Sequence, residues 1–451
     1  MPPKRTTTKR SFPAQPVPVS GAERLAEYLI GALLLVLPFV LWHEAKEAFR
    51  LPKLLLASTV ALLTLVPLAW KLRSLETIRW RTLTEIPVLK ALAPLLVVAT
   101  FGLATSAHPL HVREGLVDLW IGAAAIAGWS LGLAPERLRR LLGFQVVPAV
   151  LMSLVAVLQY HDLWEPLRFA RGLEWNRLGV TALAGNPGDL GAFWVLPCLL
   201  AQEALVSRRG KRWLYVAAIA LGLYTVAITQ SLTALLALGA GSLVFWGMLL
   251  PRRRALAIAG GIAAVGVVLV LVLAPLRQRV GGKLSAAVGG DLNSVLTGRL
   301  DGWRTALWML EEHPLAGVGH GAFRAAFAPA RLELVDQGVK FFRSQENVIF
   351  ANAHNEYLEA AAEWGVPGVL ALAWALYVLL RQMRRLPGSG GAVAGAAPAA
   401  RSSDAAVAWA GVTVYAVMSI AFFPFRIALT AYPALLLLAW IFAAARREEA
   451  G

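Results

Sequence analysis

The chain has 451 residues, 58% of them hydrophobic and only 16% charged, with a mean hydropathy of +0.61. A soluble domain carries roughly 25% charged residues, so this composition excludes an ordinary water-soluble globule. The net charge of +16 would suit a nucleic-acid binder if the chain were soluble, but the basic residues sit in clusters between long apolar blocks. That distribution is a topology signal and argues against nucleic acid as a partner.

Residues 1–22, rich in proline and basic residues, read as a disordered cytoplasmic tail. Uncharged blocks then recur, such as "LTALLALGAGSLVFWGMLL" (232–250) and "ALAIAGGIAAVGVVLVLVLAP" (255–275). A block of about 20 residues matches the roughly 30 Å hydrocarbon core of a bilayer. Twelve spans are predicted, at 24–42, 52–70, 87–105, 115–133, 141–160, 187–206, 213–230, 232–250, 255–275, 361–380, 405–424 and 427–445. The blocks are continuously apolar rather than alternating, which excludes a β-barrel. The predicted fold is an all-α polytopic membrane protein of about 12 transmembrane helices, with a large, partly helical outer loop between spans nine and ten.

The basic clusters fall alternately between these spans: residues 4–10, 71–81, 137–140, 208–212, 252–254, 381–401 and 446–447. All lie on one side, which the positive-inside rule makes the cytoplasm, with both termini there. The first span follows a basic tail without a small-residue cleavage site, so an uncleaved anchor is expected. The single cysteine, Cys198, lies in span six and has no partner for an internal disulfide. The organisation is therefore spans one to nine over 23–275, an outer loop over 276–360, spans ten to twelve over 361–445 with a cytoplasmic Gly/Ala/Pro/Ser linker at 386–404, and a cytoplasmic tail at 446–451. Apart from 161–186, the 85-residue segment 276–360 is the one outer connection too long to be a simple connector.

Inside it, "TGRLDGWRTALWMLEEHP" (297–314) predicts an amphipathic helix whose apolar face is Leu300, Trp303, Leu307 and Leu310, stopped by Pro314. Arg299 shares the side of Trp303; Arg304 points elsewhere. "LAGVGHGAF" (315–323) is a glycine-rich turn. Without a preceding strand and a βαβ unit, its glycines serve a tight turn and close packing rather than a phosphate loop. "FANAHNEYLEAAAEWGVPG" (350–368) predicts a second short helix capped by Asn352, ending at Gly365, with Pro367 opening span ten. His354 is thereby placed just outside the bilayer.

The cluster of His354, Asn355, Glu356, Tyr357 and Glu359 is either a helix cap or a site. His313, His320 and His354 lack HxxxH or HxH spacing, so no metal is expected. Spans seven to twelve have no charged residue in their central portions, unlike ion-coupled transporters. Instead Asn186, Asp189, Gln230, Ser231 and Thr233 gather at outer span ends. Arginines suit phosphate because guanidinium grips its oxygens bidentately. A histidine with an ordinary pKa of about 6.5 suits removal of a hydroxyl proton at neutral pH. Together they describe transfer of a group from a polyprenyl pyrophosphate to a hydroxyl.

"TGRLDGWRTALWMLEEHPLAGVGHGAF" followed by "AHNEYLEAAAEWGVPGVL", with "LAGNPGDLGAFWVLP" (183–197) and "TQSLTALLALGAG" (229–241), resembles the O-antigen ligase and polymerase superfamily over roughly residues 160–385. The resemblance implies a metal- and cofactor-independent inverting glycosyltransferase of the bacterial inner membrane. It would move a glycan from undecaprenyl pyrophosphate to an acceptor sugar hydroxyl, that of lipid A–core, at the periplasmic face among membrane lipids. By the same likeness His354 is the catalytic base and Arg299 binds pyrophosphate, while Asn355, Glu356, Tyr357 and Asn186 orient the histidine or the sugar. Relatives often carry Ser-Arg-Gly at the start of span eight; here it reads Ser231-Leu232-Thr233, so that arginine is missing. Pyrophosphate carries at least two negative charges, and a second cation is expected from Arg177, then Arg171, with Arg304 and Arg324 behind. The alternatives are a polymerase with a lipid-linked glycan acceptor, a protein O-oligosaccharyltransferase, or a transporter of the lipid-linked glycan.

Topology generates the first prediction. Membrane-impermeant labelling of introduced cysteines should reach residues 276–360 from outside, and 208–212 and 386–404 only from the cytoplasm. A 386–404 linker labelled from the outside would overturn the twelve-span arrangement.

Overall fold

The computed structural model describes residues 20–45, 47–73, 85–164, 180–208, 210–341, 350–387 and 403–450, and among these there is no strand. The helices are α1 (Gly21–Val36), α2 (Leu51–Arg73), α3 (Pro87–Thr105), α4 (Pro109–Gly132), α5 (Pro135–Phe144), α6 (Val146–Tyr160), α7 (Pro187–Val206), α8 (Arg212–Ile228), α9 (Leu232–Leu249) and α10 (Arg252–Val272). They continue with α11 (Ala274–Val288), α12 (Leu292–Val295), α13 (Arg299–Glu312), α14 (Phe323–Asp336), α15 (Glu356–Met383), α16 (Ser403–Ser419) and α17 (Ala428–Ala450). Proline opens α3, α4, α5 and α7, where its fixed φ suits the first turn and its missing N–H costs no hydrogen bond. The chain is an all-α polytopic membrane protein.

A helix stands at each of the twelve predicted spans, and nine candidate spans among the described residues are long and apolar enough to cross a bilayer. The remaining three, α1, α8 and α16, are only 16 or 17 residues long. The predicted tail (1–22) and cytoplasmic linker (386–404) lie almost wholly outside the described residues.

Ion pairs sort the helix ends into two layers. At one end Lys71 pairs with Glu23, Arg137 with Glu27, Arg139 with Glu203 and Asp404, and Arg447 with Glu136. These join α1, α2, α5, α7, α16 and α17 at the end where the basic clusters lie. α7 is the central post, buried on every side, with Trp194 against Gly222 of α8. α10 lies at the opposite extreme, on the rim with no buried residue.

The other end carries the segment after α10. A hydrophobic cluster joins Ala99, Val112 and Leu116 of α3 and α4 to Ala306, Met309, Val318, Phe323, Phe327 and Trp364. The glycine-rich turn wedges into the α3–α4 hairpin, with the tight turn and close packing that its sequence predicts. Gly319 (φ 98°) lies against Ser106 and Val112, and Gly321 (φ 80°) against His111 and Gly115, where a Cβ would collide. Val318 and Gly319 donate their N–H groups to the carbonyls of Ala362 and Glu363 (both 2.9 Å).

The buried face of α13 differs from the predicted one. It is Asp301, Gly302, Thr305, Ala306 and Met309, while Leu307 points outward. The small side chains bring the helix backbone against Ala353, which a Cβ on Gly302 would approach to 3.1 Å from the carbonyl oxygen. Close approach, not apolar bulk, selects the face.

α15 breaks where the sequence predicts, at Gly365 (φ 64°, ψ −166°), and the Val366 N–H donates to the Pro314 carbonyl at 2.7 Å. A Cβ on Gly365 would stand 2.5 Å from that same oxygen. Gly365→Ala should therefore destabilise the purified protein by about 2 kcal/mol or more, from strain and collision together. Gly260→Ala on α10, with nothing within 4 Å of its Cβ position, should leave the melting temperature unchanged. Equal melting temperatures for the two variants would show that the break is not enforced.

Candidate active site

The opening turn of α15 is built on carboxylates spaced for one face, Glu356, Glu359 and Glu363. The cap is Asn355 rather than the predicted Asn352: its Oδ1 accepts from the Tyr357 and Leu358 N–H groups, both at 3.0 Å. Asn352 instead donates to Glu359 (2.9 Å), whose other oxygen accepts the Ala353 N–H at 2.8 Å. Between these anchored neighbours His354 is held in the left-handed region at φ 56°, a conformation uncommon for a non-glycine residue.

The three glutamates converge on Arg426, in the turn between α16 and α17. Its Nη2 lies 2.7 Å from Glu363 and 3.3 Å from Glu359, and its Nε 3.8 Å from Glu356. Burial would lower the Arg426 pKa, but Glu359, Glu363 and Glu356 outweigh it and hold the guanidinium above its usual value. Glu363 also meets His320 Nδ1 at 3.0 Å, and Glu356 accepts the Phe425 N–H at 3.0 Å. This network locks the 420–427 turn onto α15 and presses Phe423 on His354, ring centroids 4.9 Å apart. Phe350 meets the imidazole edge-on at 6.0 Å.

Arg50, just before α2, stands over Phe423 with its Cζ 5.4 Å from the ring centroid. Its Nε and Nη2 donate to buried Asp189 in the first turn of α7, at 3.3 and 3.1 Å to Oδ2. Arg299 opens α13 and is mostly buried beside Arg279 of α11. Burial and the Arg279 charge lower its pKa, and burial lowers that of Arg279. Arg279 Nε and His354 Nδ1 are buried with no hydrogen-bond partner among the described residues. Burial, then the Arg299 and Arg50 charges, lower the His354 imidazole from 6.5 to about 4. At neutral pH it is therefore an uncharged proton acceptor facing cations.

The structure thus brings His354 and Arg299 together and adds Arg50, Arg279 and Phe423, which sequence reasoning missed. One signal for the arginines existed. In the predicted topology Arg50 and Arg279 fall on the side that the positive-inside rule keeps poor in basic residues. Arg304 is not in the group: it is exposed and donates to the Lys340 carbonyl at 3.1 Å. Arg171 and Arg177 lie outside the described residues. Arg324 faces Glu47 at 3.9 Å. Asn186 caps α7 by accepting the Gly188 N–H (2.7 Å), Glu356 serves Arg426 and the turn, and the Tyr357 hydroxyl donates to the Ala416 carbonyl at 2.9 Å. Among the described residues no His, Cys, Asp and Glu side chains group as a metal site would require.

Residues 217–373, from within α8 into α15, match the family described as O-antigen ligase. This segment supports a relationship to the O-antigen ligase superfamily. No curated protein matches the chain. The O-antigen ligase segment spans about a third of the sequence and contains Arg279, Arg299, His320 and His354, whereas Arg50, Asp189, Phe423 and Arg426 lie outside it.

The electrostatics generate a pH prediction. A lowered pKa means that the neutral imidazole persists to lower pH, so histidine-selective NMR should find His354 uncharged at about pH 5.5, where a free histidine is mostly protonated. Arg299→Gln removes a cation and should raise its pKa. A wild-type His354 titrating near 6.5 would contradict the geometry.

Proposed function

We propose that the protein is an O-antigen ligase-type inverting glycosyltransferase acting at the periplasmic face of the bacterial inner membrane. The family supports an O-antigen ligase- or polymerase-type activity on lipid-linked glycans. The observation that carries the finer reading is the half-buried imidazole of His354, its Nδ1 without a partner among the described residues, facing Arg299 and Arg50. The donor is a glycan on undecaprenyl pyrophosphate and the acceptor a sugar hydroxyl of lipid A–core.

His354 accepts the hydroxyl proton as the acceptor oxygen bonds to the anomeric carbon. The bond from that carbon to the diphosphate oxygen breaks, and its electron pair leaves on undecaprenyl pyrophosphate. Arg299 stabilises the charge that develops there, in surroundings dry enough to make the contact strong. A pKa of about 4 makes His354 by itself a weak base. The diphosphate corrects this on binding, since its negative charge offsets the arginines and raises the basicity of the imidazole when the acceptor arrives.

In a deletion strain, the wild-type gene should restore polymer on lipid A, while His354→Ala, expressed and inserted equally, should cut turnover by roughly 10²–10⁴. Near-normal transfer by His354→Ala would return residues 350–358 to a purely capping role. In the deletion strain itself, loss of all polymer from lipid A with lipid-linked polymer accumulating marks a ligase; retained single repeats mark a polymerase. The purified enzyme should keep its activity in excess EDTA, and a loss reversed by Mg²⁺ would contradict the chemistry.

A further inference from the structure

At the outer corner where α2, α7, α11 and α13 face His354, cations outnumber acids. Among the described residues Arg50, Lys53, Arg279 and Arg299 gather here, and the carboxylate of Asp189 pairs with Arg50. Arg50 holds Asp189 directly. Lys53, also influenced by Asp189, is spent on the Val40 and Leu183 carbonyls at 2.6 and 2.8 Å. Glu47, the acid nearest to Arg50 in sequence, is half-exposed and faces Arg324. Arg279 and Arg299 have no carboxylate partner among the described residues. Like charges gathered in a partly dry place are unfavourable unless an anion joins them.

Arg50 is set up to meet such an anion. Asp189 takes its Nε and Nη2 edge, leaving Nη1 without a partner among the described residues. Phe423 supports the guanidinium plane and also touches His354, so a single aromatic ring lies against both groups. α9 comes to the same corner, because Gly191 of α7 leaves room for Ser231, 2.9 Å from where its Cβ would be. α9 brings Leu232 there and no charge.

We propose that Arg50, oriented by Asp189, is a second guanidinium on the diphosphate of the lipid-linked substrate, opposite the Arg279–Arg299 pair. This rests on the glycosyl-transfer reading above and deepens it: the site selects a lipid diphosphate over a lipid monophosphate. Arg299 and Arg279 serve one phosphate and Arg50 the other. Asp189 is a positioning residue that fixes the guanidinium fork and never touches substrate.

The test uses the full chain in nanodiscs, with undecaprenyl pyrophosphate and undecaprenyl phosphate as probes and tryptophan fluorescence as the binding signal. The wild type should favour the diphosphate. Arg50→Lys, which keeps charge but loses the fork, should weaken diphosphate binding roughly ten- to a hundredfold while monophosphate binding changes little. Arg50→Gln combined with Asp189→Asn removes both charges together, leaves no buried carboxylate unpaired, and should erase the preference. A merely structural Arg50 would affect both probes equally or only the melting temperature. If either variant, at wild-type melting temperature, keeps the full diphosphate preference, the role of Arg50 is refuted while the glycosyl-transfer reading stands. If the wild type itself shows no preference, that reading falls and this inference with it.

Discussion

The arrangement around His354 depends on one guanidinium, mostly but not wholly withdrawn from water. Arg426 collects Glu356, Glu359 and Glu363, and through them ties together the start of α15, the glycine-rich turn by way of His320, and the turn that carries Phe423. Removing one partner from a buried ion cluster typically costs about 3–5 kcal/mol, because the remaining charges are stranded away from water. Here the loss would not stay local. The same Glu359 carboxylate that faces Arg426 also fixes the backbone N–H of Ala353, so the segment before the helix is held by the cluster. The left-handed backbone of His354 persists because both of its neighbours are fastened.

The cluster also separates opposite charges. Carboxylates gather on the α15 side of His354, where Arg426 compensates them, and guanidiniums gather on the side of α2, α11 and α13. An imidazole between them is held neutral first by its withdrawal from water between two phenylalanines and then by the nearer cations. Such fixed charge needs no rearrangement when a reaction creates new charge, which is how preorganised sites lower barriers.

Much of this was readable from sequence, for physical reasons that also set the limit. The spans, the break at Gly365 and the tight glycine turn follow from local rules of hydropathy and backbone freedom. His354 and Arg299 could be paired because both lie in one outer segment. The capping role of Asn355 was not legible, because an asparagine cap and a polar contact look the same until the N–H groups it accepts are known. The face of α13 was misjudged because apolar bulk was weighed above the small residues that let the helix touch the segment before α15. Arg50, Asp189 and Phe423 were out of reach for another reason: hundreds of residues separate them, and no periodicity links an arginine before α2 to a phenylalanine before α17. In the predicted topology Arg50 and Arg279 break the charge bias, but that alone does not say which arginine turns inward.

That long separation has a consequence for how the protein is made. The ring that lies against both Arg50 and His354, and the guanidinium that fastens α15, both come from the turn between the last two helices. Until that final hairpin is inserted, the growing chain presents an outer segment whose glutamates lack their cation and whose histidine lacks its support. The surroundings of His354 are therefore complete only when the last two helices have joined the rest.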